Sequence, residues 1–197
     1  RTRYITSGTS QADGVYFWSN PTTPNPMYFS ATDFLGEPSA MSGDGRYVAG
    51  AGNSFTQVTV GTVGYRLPYI YDTQTGTVEL IDQIAGLNGN AIPGVTTRID
   101  GQVTGMSGDG NTVIGFFRAM APSVYIDKTW GFIWKRGVGV MTMDQWAADN
   151  GVVTSLYMVP NGISADGQTI VGNEFTFTPT PQGAGFMVTP GTTISGS

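Results

Sequence analysis

"GMSGDGNTVIG", residues 105–115, is the stretch that decides the fold, because two close copies of it occur elsewhere in the chain. The copies are "AMSGDGRYVAG" at 40–50 and "GISADGQTIVG" at 162–172. Each places a serine two residues before an Asp-Gly pair and ends in a short apolar run typical of a buried strand. Asp-Gly between strands predicts a hairpin with a two-residue type I′ turn, and the serine hydroxyl is suited to bonding the backbone at its entry. The predicted turn residues are Ser42, Asp44, Gly45, Ser107, Asp109, Gly110, Ser164, Asp166 and Gly167.

The three aspartates of these hairpins, Asp44, Asp109 and Asp166, are called the turn aspartates below. As an alternative to a structural role, they would serve as metal ligands or catalytic carboxylates. Turn chemistry explains them without a ligand, so we interpret them as structural. Calcium stays open, because Asp-Gly turns offer oxygen ligands, but no EF-hand-like spacing supports it. We therefore expect no cofactor, no metal ligand and no catalytic residue.

The hairpins belong to a longer repeat. Their serines stand at 42, 107 and 164, which gives steps of 65 and 57 residues. An aromatic or apolar strand recurs at a similar interval, and each copy is followed by a turn and a last strand. The recurring strands are "GVYFW" (14–18), "PYIYD" (68–72), "GFIWK" (131–135) and "GFMVT" (185–189). A unit of four antiparallel strands, repeated about every 60 residues, predicts an all-β chain built of β-propeller-type blades.

Within each unit we name the strand before the Asp-Gly turn a, the strand after it b, the aromatic strand c and the last strand d. Segments 82–89 and 144–151 follow strand d and resemble each other. Each predicts a short helical turn, with Asp82 or Asp144 as N-cap and a glycine as C-cap. The repeated c-strand residues Trp18, Tyr71 and Trp134 are predicted to lie in the core.

The repeat divides the chain into one β-propeller portion, residues 1–197, with four blades of which two are whole. The first blade lacks strand a, and we expect the last to stop just after strand c. Open sheet edges invite pairing, and closed propellers typically have about 4–8 blades. We therefore expect part of a larger propeller, or half of an assembly that completes one. The predicted blades are 3–38 (partial), 39–98, 99–160 and 161–197 (partial).

Composition limits the kinds of catalytic and binding site that the chain can form. The chain has 9 basic and 14 acidic residues, a net charge of −5, and neither histidine nor cysteine. The chain lacks the excess of basic residues that binds a nucleic-acid backbone. Without histidine and cysteine it cannot form a Ser-His-Asp or Cys-His nucleophile, an ordinary structural zinc site or a haem site with a His ligand. Carboxylate chemistry remains. No apolar run is long enough to predict membrane insertion, and the lack of cysteine does not identify a compartment.

The pattern "GISADGQTIVG…GFMV", preceded by "MTMDQWAADNGV", resembles the HAF-type extracellular repeats of bacteria. "SGDGRYVAG…YIYDTQTG" is also similar to the TolB-type propeller repeat, which usually has proline after the serine. Gly43, Gly108 and Ala165 occupy that position here and favour the HAF-type family. The resemblance covers the chain from about residue 39 onward and, more weakly, 3–38. It implies a propeller fold and a secreted or cell-surface location, and it supplies no catalytic residue.

The sialidase-type Asp box, Ser-x-Asp-x-Gly-x-Thr-Trp, does not match. The glycine falls one place early and no tryptophan follows, so sialidase function is not transferred.

Antiparallel strand order places the a–b and c–d turns on one face and the longer b–c and d–a connections on the other. The long, dissimilar loops are 51–67, 116–130 and 173–184. Variable loops on a repeated scaffold are where binding usually occurs. One of them carries Phe117, Arg118, Tyr125 and Trp130, which would form a stacking platform for a sugar or an anchor for a protein. As an alternative, these rings pack between blades and the arginine is solvated.

Three functions therefore compete. The first is a non-enzymatic, secreted or surface-displayed protein that acts in structural assembly or adhesion by binding other protein chains, either copies of itself or another propeller segment. The second is a lectin-like glycan-binding module. The third is a carbohydrate-active enzyme with two carboxylates about 5–9.5 Å apart, for which Glu174 and Asp127 are the loop candidates. We favour the first, with an extracellular or cell-surface location in a bacterium, and expect no nucleic-acid partner and no membrane insertion.

Overall fold

The chain is mostly β-sheet with one short helix, so the predicted all-β class is confirmed. The structure is a computed structural model. It describes residues 2–5, 11–14, 16–20, 23–26, 36–51, 57–60, 63–81, 98–120, 129–152, 157–175, 183–190 and 192–194.

The secondary structure elements follow in chain order. They are β1 (Thr2–Ile5), β2 (Gln11–Gly14), β3 (Tyr16–Asn20), β4 (Thr23–Pro26), β5 (Pro38–Met41), β6 (Tyr47–Gly50), β7 (Gln57–Val60), β8 (Val63–Arg66), β9 (Tyr69–Asp72), β10 (Val78–Leu80), β11 (Arg98–Met106), β12 (Thr112–Met120), β13 (Thr129–Lys135), β14 (Gly139–Thr142), α1 (Met143–Asp149), β15 (Tyr157–Ile163), β16 (Ile170–Phe175), β17 (Gly183–Thr189) and β18 (Thr192–Ile194).

Three larger sheets share one antiparallel strand order. The first sheet is β5-β6-β9-β10, the second contains β11-β12-β13-β14, and the third is β15-β16-β17-β18. In each of them the two hairpin strands come first, the aromatic or apolar strand follows, and a short strand ends the unit, in the order predicted for strands a to d. In the second sheet, β8 pairs in parallel with β11, and β7 pairs with β8. Two further two-stranded sheets, β1-β2 and β3-β4, lie near the start of the chain.

The third sheet and the unit boundaries differ from expectation. Its fourth strand, β18, pairs antiparallel with β17, where the sequence was expected to stop just after strand c. Strand β15 begins at Tyr157, before the expected blade start at 161. No closed ring of sheets is seen among the described residues, so these strands alone do not establish the predicted propeller.

The hairpin turn is different from the predicted two-residue turn. The Gly45 N–H donates to the Ser42 carbonyl oxygen at 3.0 Å, so Gly43 and Asp44 are the central residues of the β-turn and Gly45 is its last residue. The glycine then takes a left-handed conformation, with φ 74°, and the Ser42 N–H donates to the Tyr47 carbonyl oxygen at 2.9 Å. The same turn closes at Gly110 and Gly167. The type I′ prediction is wrong: the Arg46 N–H, which would close a two-residue turn on the Gly43 carbonyl oxygen, donates to the Asp44 carboxylate at 3.0 Å.

The sheets pack face to face through apolar residues that alternate along their strands. One core cluster joins the first and second sheets and includes Ala49, Ile70, Val113 and Trp134. A second cluster joins the second and third sheets and helix α1. Its buried members are Ile114, Ile133, Met143, Trp146, Ala147, Met158, Ile170 and Val188. The a-type strands lie side by side, since β11 contacts both β5 and β15. Tyr71 and Trp134 are buried as predicted, whereas the side chain of Trp18 lies outside the described part of the chain.

Helix α1 begins two residues earlier than predicted. Thr142 is its N-cap, and the hydroxyl of that residue accepts the Gln145 N–H at 3.2 Å, so the expectation that Asp144 caps the helix is wrong. The Asp144 carboxylate instead accepts the Met158 N–H at 3.2 Å, tying the helix to β15. The helix ends at Asp149 with Asn150 as C-cap, followed by Gly151 with φ 83°, a common helix ending. The predicted equivalent at 82–89, with Asp82, lies outside the described residues.

Candidate functional site

Each Asp-Gly hairpin is held by one serine and one aspartate. In the second sheet, the Ser107 hydroxyl donates to the Asp109 carboxylate at 2.6 Å and accepts the Thr112 N–H at 2.9 Å. The same carboxylate oxygen accepts the Asn111 N–H at 2.9 Å. The first and third sheets repeat these bonds at Ser42 and Ser164. The predicted role of the serines at the turn entry is therefore confirmed, and the hydroxyl satisfies the backbone N–H that enters strand b.

The turn aspartates are ionised hydrogen-bond acceptors. The serine hydroxyl, with a further backbone N–H two residues on, lowers the pKa of each of these carboxyls below its ordinary value. A carboxyl in this state is a poor general acid. Within the described ranges, no group of three or more acidic residues could hold a metal ion. The turn bonds thus explain the three residues, and calcium remains a prediction without a supporting cluster.

The three turns touch one another and form a column across the three sheets. The Gly43 N–H donates to the Gly108 carbonyl oxygen at 2.7 Å, and the Gly108 N–H donates to the Ala165 carbonyl oxygen at 2.7 Å. A Cβ built on Gly108 would lie 3.0 Å from the Ala165 carbonyl oxygen, so the approach is close. These three residues and their backbone groups are called the turn column below.

The turn column was not predicted from the sequence, although a signal for it exists. The residue after each turn serine is Gly43, Gly108 or Ala165, where the TolB-type pattern usually has proline. Proline has no N–H and could not donate along the column. A small residue that keeps its N–H at this position is what the column requires.

A second set of contacts links the column to the c–d turns, which lie at the same end of the sheets as the antiparallel order predicts. Arg46 forms an ion pair with Asp72 at 2.9 Å, and this pairing, together with N–H bonds from Gln74 and Thr75, lowers the pKa of the Asp72 carboxyl. In the second sheet, the Arg136 guanidinium donates to the Gly110 carbonyl oxygen at 3.1 Å. Arginine thus ties the a–b turn to the c–d turn in both sheets.

Tyr47 joins the first sheet to the second. The guanidinium carbons of Arg46 and Arg136 lie 4.8 Å and 4.1 Å from the centre of its ring, within cation–π range. A Cβ on Gly110 would lie 2.4 Å from a carbon of that ring, so the ring packs directly on the neighbouring turn. Sequence reasoning missed this contact, because it depends on which residues face each other across two sheets.

The four predicted loop residues do not form one patch. Phe117 is buried in the core, with its ring centroid 5.2 Å from that of Phe132. This is the packing alternative that the sequence left open, because a ring that is 1% exposed offers no surface to a ligand. Trp130 lies opposite Phe117 in the sheet and is half-buried against the same core. Tyr125 lies outside the described residues.

Arg118 lies on the opposite face of that sheet from Phe117, since adjacent residues of a strand point to opposite sides. Its guanidinium carbon is 5.4 Å from the centre of the Phe116 ring, and its Nε is buried without a hydrogen-bond partner. Asp100 and Thr129 are its neighbours on the adjoining strands. The binding role predicted for these residues stays a prediction.

The carboxylates do not supply an evident pair for glycoside hydrolysis. Glu174 lies on β16 opposite Met158 and Ala184, and its proposed companion Asp127 lies outside the described residues. Burial raises the pKa of the Asp144 carboxyl, but that group bonds the Met158 N–H behind helix α1. It is placed to hold the helix rather than to meet a substrate.

Comparison with known proteins adds no relative to this description: neither the protein-family models nor the curated proteins include a match to the chain. None of the helices in the described segments is both long and apolar enough to cross a membrane.

Proposed function

We propose that this chain is a non-enzymatic β-propeller-type repeat protein of the bacterial cell surface or extracellular space, which acts in structural assembly or adhesion by binding other protein chains. The observation that carries this proposal is the turn column, which joins three sheets by backbone hydrogen bonds and, among the described residues, pairs neither the Ala165 N–H nor the Gly43 carbonyl oxygen with another backbone group. A repeat of this kind buries its faces only against neighbours, so an open end is a site for protein contact.

The propeller arrangement is supported by the strand order and by the inner contacts. All three sheets run a to d outward from a hairpin strand, and the hairpin strands lie next to one another. The Thr104 hydroxyl donates to the Pro160 carbonyl oxygen at 2.7 Å, which bonds two of these strands across the sheets. Sheets radiating from adjacent inner strands are the arrangement expected of propeller blades.

The absence of an enzymatic role is proposed on the state of the carboxylates. The turn aspartates accept bonds from their own turns, Asp72 is paired with Arg46, and Asp144 holds the helix. The glycan-binding alternative depends on the loop that contains Tyr125, and among described residues only the unpaired Arg118 Nε favours it.

Native mass spectrometry of the particle isolated from the cells that produce it would test the proposal, together with a glycan array probed with the same purified chain. We expect the chain to be recovered bound to protein, and no glycan to bind with a Kd below about 1 mM. Recovery as a lone chain that binds a glycan would overturn the assembly role in favour of the lectin-like one. Hydrolysis of a glycoside that is lost in Glu174→Gln would overturn the non-enzymatic assignment.

A further inference from the structure

Each of the three larger sheets carries two apolar pairs, one on each face. The members of a pair are cross-strand partners on strands b and c. One pair starts three residues after the turn glycine and is called the front pair; the other starts four residues after it and is called the back pair. The two lie on opposite faces, because adjacent residues of a strand point to opposite sides. The front pairs are Val48 with Tyr71, Val113 with Trp134, and Ile170 with Val188, and the back pairs are Ala49 with Ile70, Ile114 with Ile133, and Val171 with Met187.

Both contacts between these sheets join a back pair to a front pair. The back pair of the first sheet lies in one core cluster with the front pair of the second sheet. The back pair of the second sheet lies in one core cluster with the front pair of the third sheet. Two equivalent contacts in one chain thus show what a back pair of this repeat packs against.

The back pair of the third sheet is the exposed one of the three. The back pairs of the first and second sheets are at most 2% exposed, whereas Val171 and Met187 are 42% and 40% exposed. These two residues lie side by side on the outer face of the sheet, at positions that the other sheets bury completely. Apolar side chains exposed together in this way indicate a contact surface.

The three front pairs of this chain are all in use. None of their six side chains is more than 6% exposed. The front pair of the first sheet, Val48 and Tyr71, is buried in a cluster with Tyr69, whose hydroxyl donates to the Gly36 carbonyl oxygen at 2.8 Å. A second copy of this chain therefore offers no free front pair on its three larger sheets, and a front pair for Val171 and Met187 has to come from a different chain.

We infer that the outer face of the third sheet binds a further four-stranded unit of this repeat type, carried by a different protein chain. The front pair of the partner's unit packs on Val171 and Met187. Its chemistry follows from the front pairs seen here: valine or isoleucine three residues after the turn glycine on strand b, opposite tyrosine, tryptophan or valine on strand c. The inference rests on the proposed assembly function and names its partner, by continuity with the two contacts between sheets already present in the chain.

Native mass spectrometry of the particle isolated from the cells that produce it, with peptide sequencing of its components, tests the contact. We expect a second protein whose sequence contains such a front pair after an Asp-Gly hairpin. In Val171→Lys and in Met187→Lys, the fraction of chain recovered with this protein should fall at least about tenfold, because the lysine places an unpaired charge in an apolar contact. Val138→Lys is the matched control, since it adds the same charge at a residue that is 70% exposed between β13 and β14, and it should keep the partner.

Thiol labelling gives a second measurement that does not depend on the lysine variants. The chain has no cysteine, so Met187→Cys introduces a single thiol on the outer face of the third sheet. Its reaction with iodoacetamide should be at least about tenfold slower in the particle than in the purified chain, because a covered thiol reacts only when the contact opens. Val138→Cys should react at the same rate in both. Circular dichroism should show every variant folded, since all three positions are exposed.

The outcomes separate this inference from the proposed function. Retention of the partner by both lysine variants, or equal reactivity of Met187→Cys in particle and purified chain, would overturn the inference and leave the assembly role standing. A particle that contains copies of this chain alone, or a partner protein without a unit of this repeat, would do the same. Recovery of the wild-type protein as a lone chain would overturn both.

Discussion

Replacing the turn serine by alanine should cost much more stability in the second sheet than in the third. Ser107 is buried, and its hydroxyl holds the buried Thr112 N–H at 2.9 Å. Ser164 makes the same bond to the Thr169 N–H at the same distance, but the site is only partly buried. The two substitutions remove identical atoms from identical turns, so any difference between them measures burial.

The expected loss of stability depends on whether the backbone N–H that loses the serine hydroxyl finds another hydrogen-bond partner. In Ser107→Ala the Thr112 N–H keeps no partner and no water, which costs about 1–3 kcal/mol, and the lost hydroxyl bond to Asp109 adds a smaller amount. We expect a total of about 2–3 kcal/mol. In Ser164→Ala solvent takes the place of the hydroxyl, so the cost should be about 1 kcal/mol or less.

Urea unfolding followed by tryptophan fluorescence measures both variants. The midpoint should fall for Ser107→Ala with an unchanged slope, because the same surface is exposed on unfolding. Equal losses in the two variants, or a larger loss in Ser164→Ala, would refute the reasoning that the turn of the second sheet is sealed from water and the turn of the third sheet is not.

Three further outcomes are expected from the same unfolding assay. Gly110→Ala should destabilise the fold by about 2 kcal/mol or more, and Gly45→Ala by only about 1–2 kcal/mol. Both glycines have φ above 70°, but only Gly110 packs against the Tyr47 ring. Equal losses of stability would show that the ring moves away freely. Lowering the pH from about 5 to 3 should destabilise the fold. The turn aspartates have lowered pKa values, so the unfolded chain binds more protons in that range, and stability present above about pH 4 is lost below it. A free energy of unfolding that does not change over this range would contradict the turn bonds. Asp144→Asn should stabilise the fold at pH 7. Burial raises the pKa of the Asp144 carboxyl, so its ionisation costs stability as the pH rises above the ordinary value of 3.8, whereas an amide oxygen carries no charge and still accepts the Met158 N–H. A loss of stability at pH 7 would show that the charge itself is needed.

Local chemistry let the sequence predict the elements within each sheet. The three hairpins, the core position of Tyr71 and Trp134, and the helix after strand d all follow from turn residues and apolar runs that act over a few positions. The turn type was mispredicted because the Asp44 carboxylate accepts the Arg46 N–H that would close a tighter turn, and the Ser42 hydroxyl accepts the next N–H. The N-cap was misplaced by two residues because Thr142 and Asp144 are both good caps, and only the position of Met158 decides between them.

Contacts between sheets could not be predicted in the same way. The sequence aligns Ile114 with Val171 as equivalent apolar residues, but it does not show that a neighbour covers the first and leaves the second exposed. Phe117 is a second example: its position in a predicted loop indicates a surface residue, whereas in the structure its ring packs against Phe132. Both outcomes depend on which faces meet, and residue spacing along one strand carries no information about that.

The outer face of the third sheet has the chemistry of a contact surface rather than of a cap. In stacked repeats, the end unit that closes an array usually has a polar outer face, since its apolar positions would otherwise meet water. At the two positions that decide the matter here, the third sheet keeps Val171 and Met187, in register with the buried pairs of the other sheets. A lysine or glutamate at either position would cap the stack, and neither is present. The third sheet thus leaves exposed to solvent the two apolar positions that the first and second sheets bury against a neighbour.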